Sequence, residues 1–186
     1  GRIAERLHLL MAELGYERYG VQGGDWGAII GTRLARQQPQ AVMGLHLNFA
    51  AGAAPPPEGE EPMQEERDVA ERRQRFAREE TGYQRIQGTR PQSLGFALND
   101  SPVGLLAWIL EKFWAWSDHG DDLWESIDRD DVLANVTLYW LTGTAMSSTR
   151  IYYEASHDRS MSAAGAAIRI EVPTAFARFP AEPFEV

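Results

Sequence analysis

The residues best suited to chemistry lie in one short segment, Val21-Gln22-Gly23-Gly24-Asp25-Trp26-Gly27-Ala28-Ile29-Ile30-Gly31. It sets a single carboxylate, Asp25, on a turn between an apolar strand and an apolar helix, with glycines on both sides. That is the layout of a nucleophile elbow, in which a sharp strand-to-helix turn pushes one side chain into a pocket. The glycines suit it because a side chain beside the turn would meet neighbouring backbone, and strained φ/ψ is cheapest for glycine.

Elbows often carry Ser, which needs a base to become a nucleophile. A carboxylate has a reference pKa of about 3.9 and is already anionic at neutral pH. An Asp nucleophile attacks carbon and becomes an ester of its own side chain, which water must then cleave. This suits electrophilic sp³ carbons such as those of epoxides and alkyl halides. The backbone N–H of Trp26, at the helix start, is the expected donor to a carboxylate or oxyanion. The same residues also fit an Asp that only caps the helix that follows.

The elements around the segment set its position. Ile3, Leu7, Leu10, Met11 and Leu14 recur at helical spacing, and Gly15 fits a C-cap. A strand is expected around residues 18–22, a helix from about Trp26 to Gln37 ahead of Pro39, and a strand over residues 44–49. This β-α-β order predicts a parallel sheet with crossover helices. Residues 50–59 are Ala, Gly and Pro, a linker composition. Residues 60–80 mix Glu, Asp and Arg as a solvated helix does. Residues 81–158 are helical and aromatic. Ser101-Pro102 marks a helix start, and residues 103–116 are apolar on most faces, which predicts burial. Another helix is expected from Asp130-Asp131 through Trp140, its acids suited to the positive end of the helix dipole. Residues 168–172 return to strand-like alternation before Pro173.

The expected organisation is residues 1–51 as core, 52–160 as linker and helical lid, and 161–186 as a return to the core with a strand and an acid loop. A helical block inserted into a parallel-sheet domain usually covers the site at the carboxyl ends of the strands. The 186 residues carry a net charge of −9, which disfavours nucleic acid and anionic membranes as partners. No cysteine is present, which removes disulfides, thiolate metal sites and a Cys nucleophile. No run suits a bilayer span, and the N-terminus reads as mid-helix, not as a signal peptide.

Three stretches, in order, resemble epoxide hydrolases of the microsomal type, within the α/β-hydrolase superfamily. The first is the elbow. The second is the lid, Gly82 to Ile109 (GYQRIQGTRPQSLGFALNDSPVGLLAWI) and Thr144 to Glu154 (TAMSSTRIYYE). The third is Val172 to Glu182 (VPTAFARFPAE). The resemblance covers essentially the whole chain. It implies a partial α/β-hydrolase fold with an inserted helical lid, and Asp25 as nucleophile. It makes Tyr83 and Tyr152 the lid phenols that hydrogen-bond the epoxide oxygen. A phenol of pKa about 10 can donate to a developing alkoxide while un-ionised at neutral pH. Tyr153 is the neighbour most easily confused with Tyr152, and in a helix the two point about 100° apart. Glu182 matches the acid that orients a His and stabilises its imidazolium, with Glu185 as the local alternative. The implied reactants are a small hydrophobic epoxide and water, with no metal and no organic cofactor. A cytoplasmic location is the expectation, compatible with an anchor upstream.

The implied His follows the acid in a Gly-Gly-His-Phe-like setting, and a His-Gly-x-Pro loop precedes the elbow. Neither is in this sequence, and His8, His46, His119 and His157 sit in other contexts. The expectation is a fragment that keeps nucleophile, lid acids and relay acid without a general base, and that leaves the elbow strand on an open edge. Two other readings use the same elbow. A haloalkane dehalogenase-like hydrolase also has Asp followed by Trp, but a leaving halide calls for N–H donors and leaves the phenols idle. A non-catalytic α/β-hydrolase-fold binding protein needs no base at all.

Overall fold

The computed structural model describes residues 1–49, 63–158, 169–179 and 182. The chain divides into two compact units, Gly1–Glu80 with Ala167–Val186, and Thr81–Ala166.

The first unit is built on helix α1 (Arg2–Glu13), strand β1 (Tyr19–Gly23), helix α2 (Trp26–Gln37), strand β2 (Val42–Leu47), helix α3 (Gln64–Glu79) and strand β3 (Thr174–Phe176). The strands form a parallel sheet in the order β1-β2-β3, so β1 is an edge of this sheet. Val21 pairs with Leu45, and Gly23 with Leu47. Parallel neighbours require a crossover, and α2 supplies it. One sheet face packs on the helices through Ala4, Ala28, Leu34, Ala35, Val42, Leu45 and Leu47. Gln22 and His46 are exposed and line a shallow concavity with Gly20, Gly44 and Ala175. Alternate side chains point to opposite faces, so one face is greasy and the other open. His8 Nδ1 meets the Tyr19 hydroxyl at 2.8 Å and ties α1 to β1. Burial raises the pKa of that phenol. Helix α3 is mostly exposed, as its charges imply, with Val69 its one buried residue.

Two boundaries move from their expected places. Strand β2 lies two residues earlier than residues 44–49, because Val42 is already paired with Tyr19. The third strand follows Pro173 instead of preceding it; Ile168 lies outside the described residues, and residues 169–173 are not strand. Proline has no N–H to give a ladder, so it sits at the strand's entrance. Its carbonyl accepts from Leu45 N at 2.9 Å, and Ala177 N then donates to the Leu47 carbonyl at 2.8 Å. The alternation that suggested a strand is still used, since Val172 is buried in the core and Ile170 packs beside it.

The second unit is helical: α4 (Gly82–Thr89), α5 (Pro91–Asp100), α6 (Pro102–Trp116), a 3₁₀ turn at Leu123–Glu125, α7 (Arg129–Thr142) and α8 (Ala145–His157). Ser101 caps α6, its hydroxyl accepting from Gly104 N at 3.0 Å, and Pro102 opens the helix. The two helices α5 and α6 meet at a bend of 115°, and no single helix among the described residues is long and apolar enough to cross a membrane. Asp128 caps α7 through Asp130 N at 2.7 Å. Gly143, at φ +64°, ends α7 in the left-handed region.

Helix α8 is fastened to both α4 and α5. A Cβ on Gly95 would fall 2.4 Å from Met146 Cγ, so this glycine lets α5 and α8 close up. Asn99 accepts from Met146 N at 3.1 Å and donates to the Gly143 carbonyl at 3.3 Å. Ser156 Oγ donates to the Gly88 carbonyl of α4 at 3.1 Å.

Helix α6 corrects the expected burial. Within it only Leu105 is fully buried, while Val103 is 72% and Trp114 53% exposed. Packing against α5 and α7 uses a single stripe, Leu105 with Leu106, Trp108 and Ile109 beside it. Apolar character all round does not supply a partner on every side.

His119 holds the end of α6. Its Nε2 lies 2.8 Å from the Trp114 carbonyl and its Nδ1 2.7 Å from the Gly120 carbonyl. Carbonyls only accept, so the form that satisfies both contacts is the imidazolium, in which both ring nitrogens donate. The Trp114 carbonyl first, then that of Gly120 and the Asp118 charge, raise the His119 pKa. The stabilisation is therefore complete below the ordinary value of about 6.5 and is lost as pH rises through the higher folded value. Comparing unfolding midpoints of wild type and His119→Gln across pH should give a gap that closes on going alkaline. A gap independent of pH would contradict the imidazolium clamp.

Candidate active site

The elbow is sharp. Among the described residues Asp25 is the only non-glycine with positive φ, at φ +45° and ψ −123°. Such backbone costs on the order of 1–3 kcal/mol and persists only where the surroundings enforce it. The enforcing contact is local. A Cβ on Gly23 would sit 2.3 Å from the Gly27 carbonyl oxygen and 2.8 Å from Ala28 N, because strand β1 runs directly onto the first turn of α2. A Cβ on Gly24 would fall 2.4 Å from Asn48 Oδ1. Gly31 lets α2 settle on the sheet, its would-be Cβ 3.0 Å from Val21 Cγ1. Gly27 is different: a Cβ there meets nothing within 4 Å among the described residues.

Asp25 stands at the N-cap position of α2, yet its side chain makes no capping hydrogen bond. The capping alternative is therefore not realised, and the residue is exposed. Trp26 is the first residue of α2, at the end where helical N–H groups lack intrahelical partners.

Asn48 is a residue that the sequence did not single out. It follows β2 directly, donates its N–H to the Gly23 carbonyl at 3.2 Å and accepts from Gln22 Nε2 at 3.3 Å. It thus braces the elbow from the neighbouring strand. Its one signal was position: the first polar residue past an apolar strand parallel to the elbow strand.

Glu182 follows β3, which runs parallel to β1 and β2, so Asp25, Asn48 and the Glu182 segment all leave the sheet from the carboxyl ends of its strands. Glu182 is half-buried and its N–H donates to the Phe179 carbonyl at 3.1 Å. Glu185 lies outside the described residues.

In the helical unit, Tyr83 on α4 and Tyr152 on α8 come together. Their ring centroids are 5.6 Å apart at 79°, edge to face. Trp116 also lies against Tyr83, with ring centroids 5.5 Å apart. Gln84 Nε2 donates to the Tyr83 hydroxyl oxygen at 3.0 Å. Tyr153 turns away and stacks on His157 at 4.2 Å. One tyrosine of the adjacent pair therefore meets Tyr83, as the helical angle between them requires.

The histidines have other occupations. His8 bonds Tyr19, His46 lies on the open sheet face, His119 clamps α6, and His157 bonds the Tyr153 carbonyl at 2.8 Å. Among the described residues no group of His, Asp or Glu is arranged to hold a metal ion.

With this geometry in place, likeness to known proteins is informative. No family model matches the chain. An epoxide hydrolase homologue of Stigmatella aurantiaca (strain DW4/3-1) is 40% identical over 183 residues, covering 98% of this chain and 40% of that protein. Epoxide hydrolase 1 of Sus scrofa is 38% identical over 203 residues, covering 96% of this chain and 44% of that protein. The crystallised epoxide hydrolase of Aspergillus niger superposes with a TM-score of 0.77 at 31% identity, covering 96% of this chain and 44% of that one. The chain thus spans less than half the length of these relatives. Its fold is a partial α/β-hydrolase fold, and the resemblance read from its motifs extends along nearly all of it.

The elbow contact separates two glycines that look alike in sequence. Gly23→Ala should cost about 1–3 kcal/mol, because backbone must move to admit the methyl. Gly27→Ala should stay within about 0.5 kcal/mol of wild type, having open space. Urea unfolding of both variants measures this, and equal costs would contradict the elbow geometry.

Proposed function

We propose, for a chain similar along nearly its whole length to epoxide hydrolases, that it carries the alkylating half of an epoxide-opening reaction. The observation that carries the reading is the strained, exposed Asp25 at a glycine-lined elbow, a conformation a helix cap does not need. The paired phenols of Tyr83 and Tyr152 support it from the helical unit, which we assign as the lid.

The chemistry runs as follows. An Asp25 carboxylate oxygen attacks a ring carbon, and the carbon–oxygen bond of the strained ring breaks. Its electron pair stays on the former ring oxygen, which takes a proton from a lid phenol. The resulting tyrosinate regains its proton from water, leaving hydroxide. The product at this stage is a hydroxyalkyl ester of Asp25. The Trp26 N–H at the start of α2 favours negative charge on the carboxylate before attack and on the acyl oxygen during ester cleavage. Well-placed acid help is worth on the order of 10²- to 10⁴-fold.

Ester cleavage needs water deprotonated by a base. Addition of hydroxide to the acyl carbon expels the diol alkoxide, which takes the proton back from the base, and the Asp25 carboxylic acid gives its proton to the hydroxide left by ring opening, so the net change is epoxide plus water to vicinal diol. Glu182 is assigned to orient that base. His8, His119 and His157 are engaged by the partners described above and His46 lies on the open sheet face, so none of the four is assigned as that base. Aromatic residues of the helical unit favour a hydrophobic epoxide.

Incubating the chain with styrene oxide and following both protein mass and diol tests this directly. The expected outcome is one epoxide added per chain without sustained diol release, and no addition to Asp25→Asn. Unchanged addition to the variant would refute the assignment of Asp25, and many diols per chain would refute the division of labour.

A further inference from the structure

The neighbourhood of Tyr83 contains a charge that the proposed mechanism has not used. Lys112, on α6, places its Nζ 5.3 Å from the centroid of the Tyr83 ring and 5.2 Å from that of Trp116. Its side chain is only 19% exposed. Lysine ordinarily buries its stem and sends its ammonium into water. Here the side chain is largely buried and its ammonium lies near two aromatic rings, whose negative faces attract it.

The Lys112 ammonium also meets Glu111 on the same helix at 2.5 Å, a carboxylate that is itself 64% exposed. The Tyr83 hydroxyl oxygen meanwhile accepts from Gln84 Nε2 at 3.0 Å. Both groups pull electron density the same way, one from the ring face and one at the oxygen. Donation into the oxygen and positive charge at the ring make the remaining O–H a stronger donor.

We propose that Lys112 is a positioning residue for ring opening, its ammonium polarising the Tyr83 phenol so that Tyr83 supplies most of the acid assistance of the tyrosine pair. The inference rests on the function proposed above. As Asp25 bonds to carbon and the ring oxygen takes the Tyr83 proton, negative charge passes to the Tyr83 ring and oxygen. The ammonium's attraction grows with that charge, so it is stronger in the transition state than in the ground state. An interaction of that kind raises the rate, whereas one of constant strength only aids folding or binding.

A purely structural lysine predicts something else. Removing it would loosen packing wherever Tyr83 is present or absent, and any cost would not depend on the Tyr83 hydroxyl. The test therefore pairs Lys112→Met, which keeps the stem, with Lys112→Arg, which keeps the charge, and measures single-turnover ester formation with styrene oxide by intact mass. Lys112→Met should slow ester formation about tenfold or more, and Lys112→Arg should restore it to within about threefold of wild type. In a Tyr83→Phe background Lys112→Met should cost nothing further, while in a Tyr152→Phe background its cost should persist. Equal loss in both backgrounds, or no loss in wild type, overturns the proposal.

A second readout does not depend on turnover. With ¹³Cζ-labelled tyrosine at neutral pH, the Tyr83 resonance is identified by its absence in Tyr83→Phe. It should move in Lys112→Met and return in Lys112→Arg, and an unmoved resonance overturns the proposal. Should the wild-type chain form no ester at all, the functional reading fails, while this resonance still decides whether Lys112 polarises Tyr83.

Discussion

A single close approach organises the first unit: the backbone of Gly23 against the Gly27 carbonyl, with no room between them for even a methyl group. Strand β1 meets helix α2 head-on, and the two intervening residues must make the whole turn. Gly24 passes close to Asn48, and Asp25 absorbs the remaining bend in the left-handed region. A residue so held cannot relax into the cap hydrogen bond its position offers. The carboxylate is left exposed at the carboxyl end of a parallel sheet, where open α/β sheets bind their ligands. Strain of on the order of 1–3 kcal/mol is tolerable only because α2 is packed on the sheet through Ala28, Leu34 and Ala35, so that the turn is over-determined.

The second unit presents a different kind of order. Its two phenols come from helices far apart in sequence, and they meet because α8 is pinned to α4 by Ser156 and to α5 by Asn99 and the gap at Gly95. Tyr83 lies beside Trp116, Lys112 and Gln84 as well as Tyr152. In the proposed reaction the first unit supplies the nucleophile and the helical unit supplies the acids, one pushing electrons onto carbon and the other accepting them at oxygen.

Much of this was legible in residue order. Gly23-Gly24-Asp25-Trp26 announces the elbow because few other arrangements need those glycines beside a carboxylate. Ser101-Pro102 marks a helix start because capping is a local interaction, whereas the cap of α7, Asp128, was found only in the structure, just ahead of the expected Asp130-Asp131. The illegible parts depend on partners distant in sequence. Residues 168–172 alternate like a strand, yet the ladder forms after Pro173, since only the fold determines which carbonyl meets Leu45 N. The apolarity of α6 predicted burial, but burial needs neighbours, and one stripe of the helix has them. Asn48 gave no motif at all, because its role comes from register with the elbow strand. Among the tyrosines, the resemblance named Tyr152 and not Tyr153, and in α8 it is Tyr152 that meets Tyr83 while Tyr153 stacks on His157.

The central claim is that the turn singles out one carboxylate from the 27 acidic residues of the chain as the group that bonds to an epoxide carbon. The most direct measurement is to digest the styrene oxide-treated chain under acidic conditions, which preserve the ester, and to sequence the modified peptide by tandem mass spectrometry. The account predicts a single adduct located on the Asp25 side chain. Adducts spread over exposed glutamates and aspartates, or an unmodified Asp25 beside another modified residue, would contradict it.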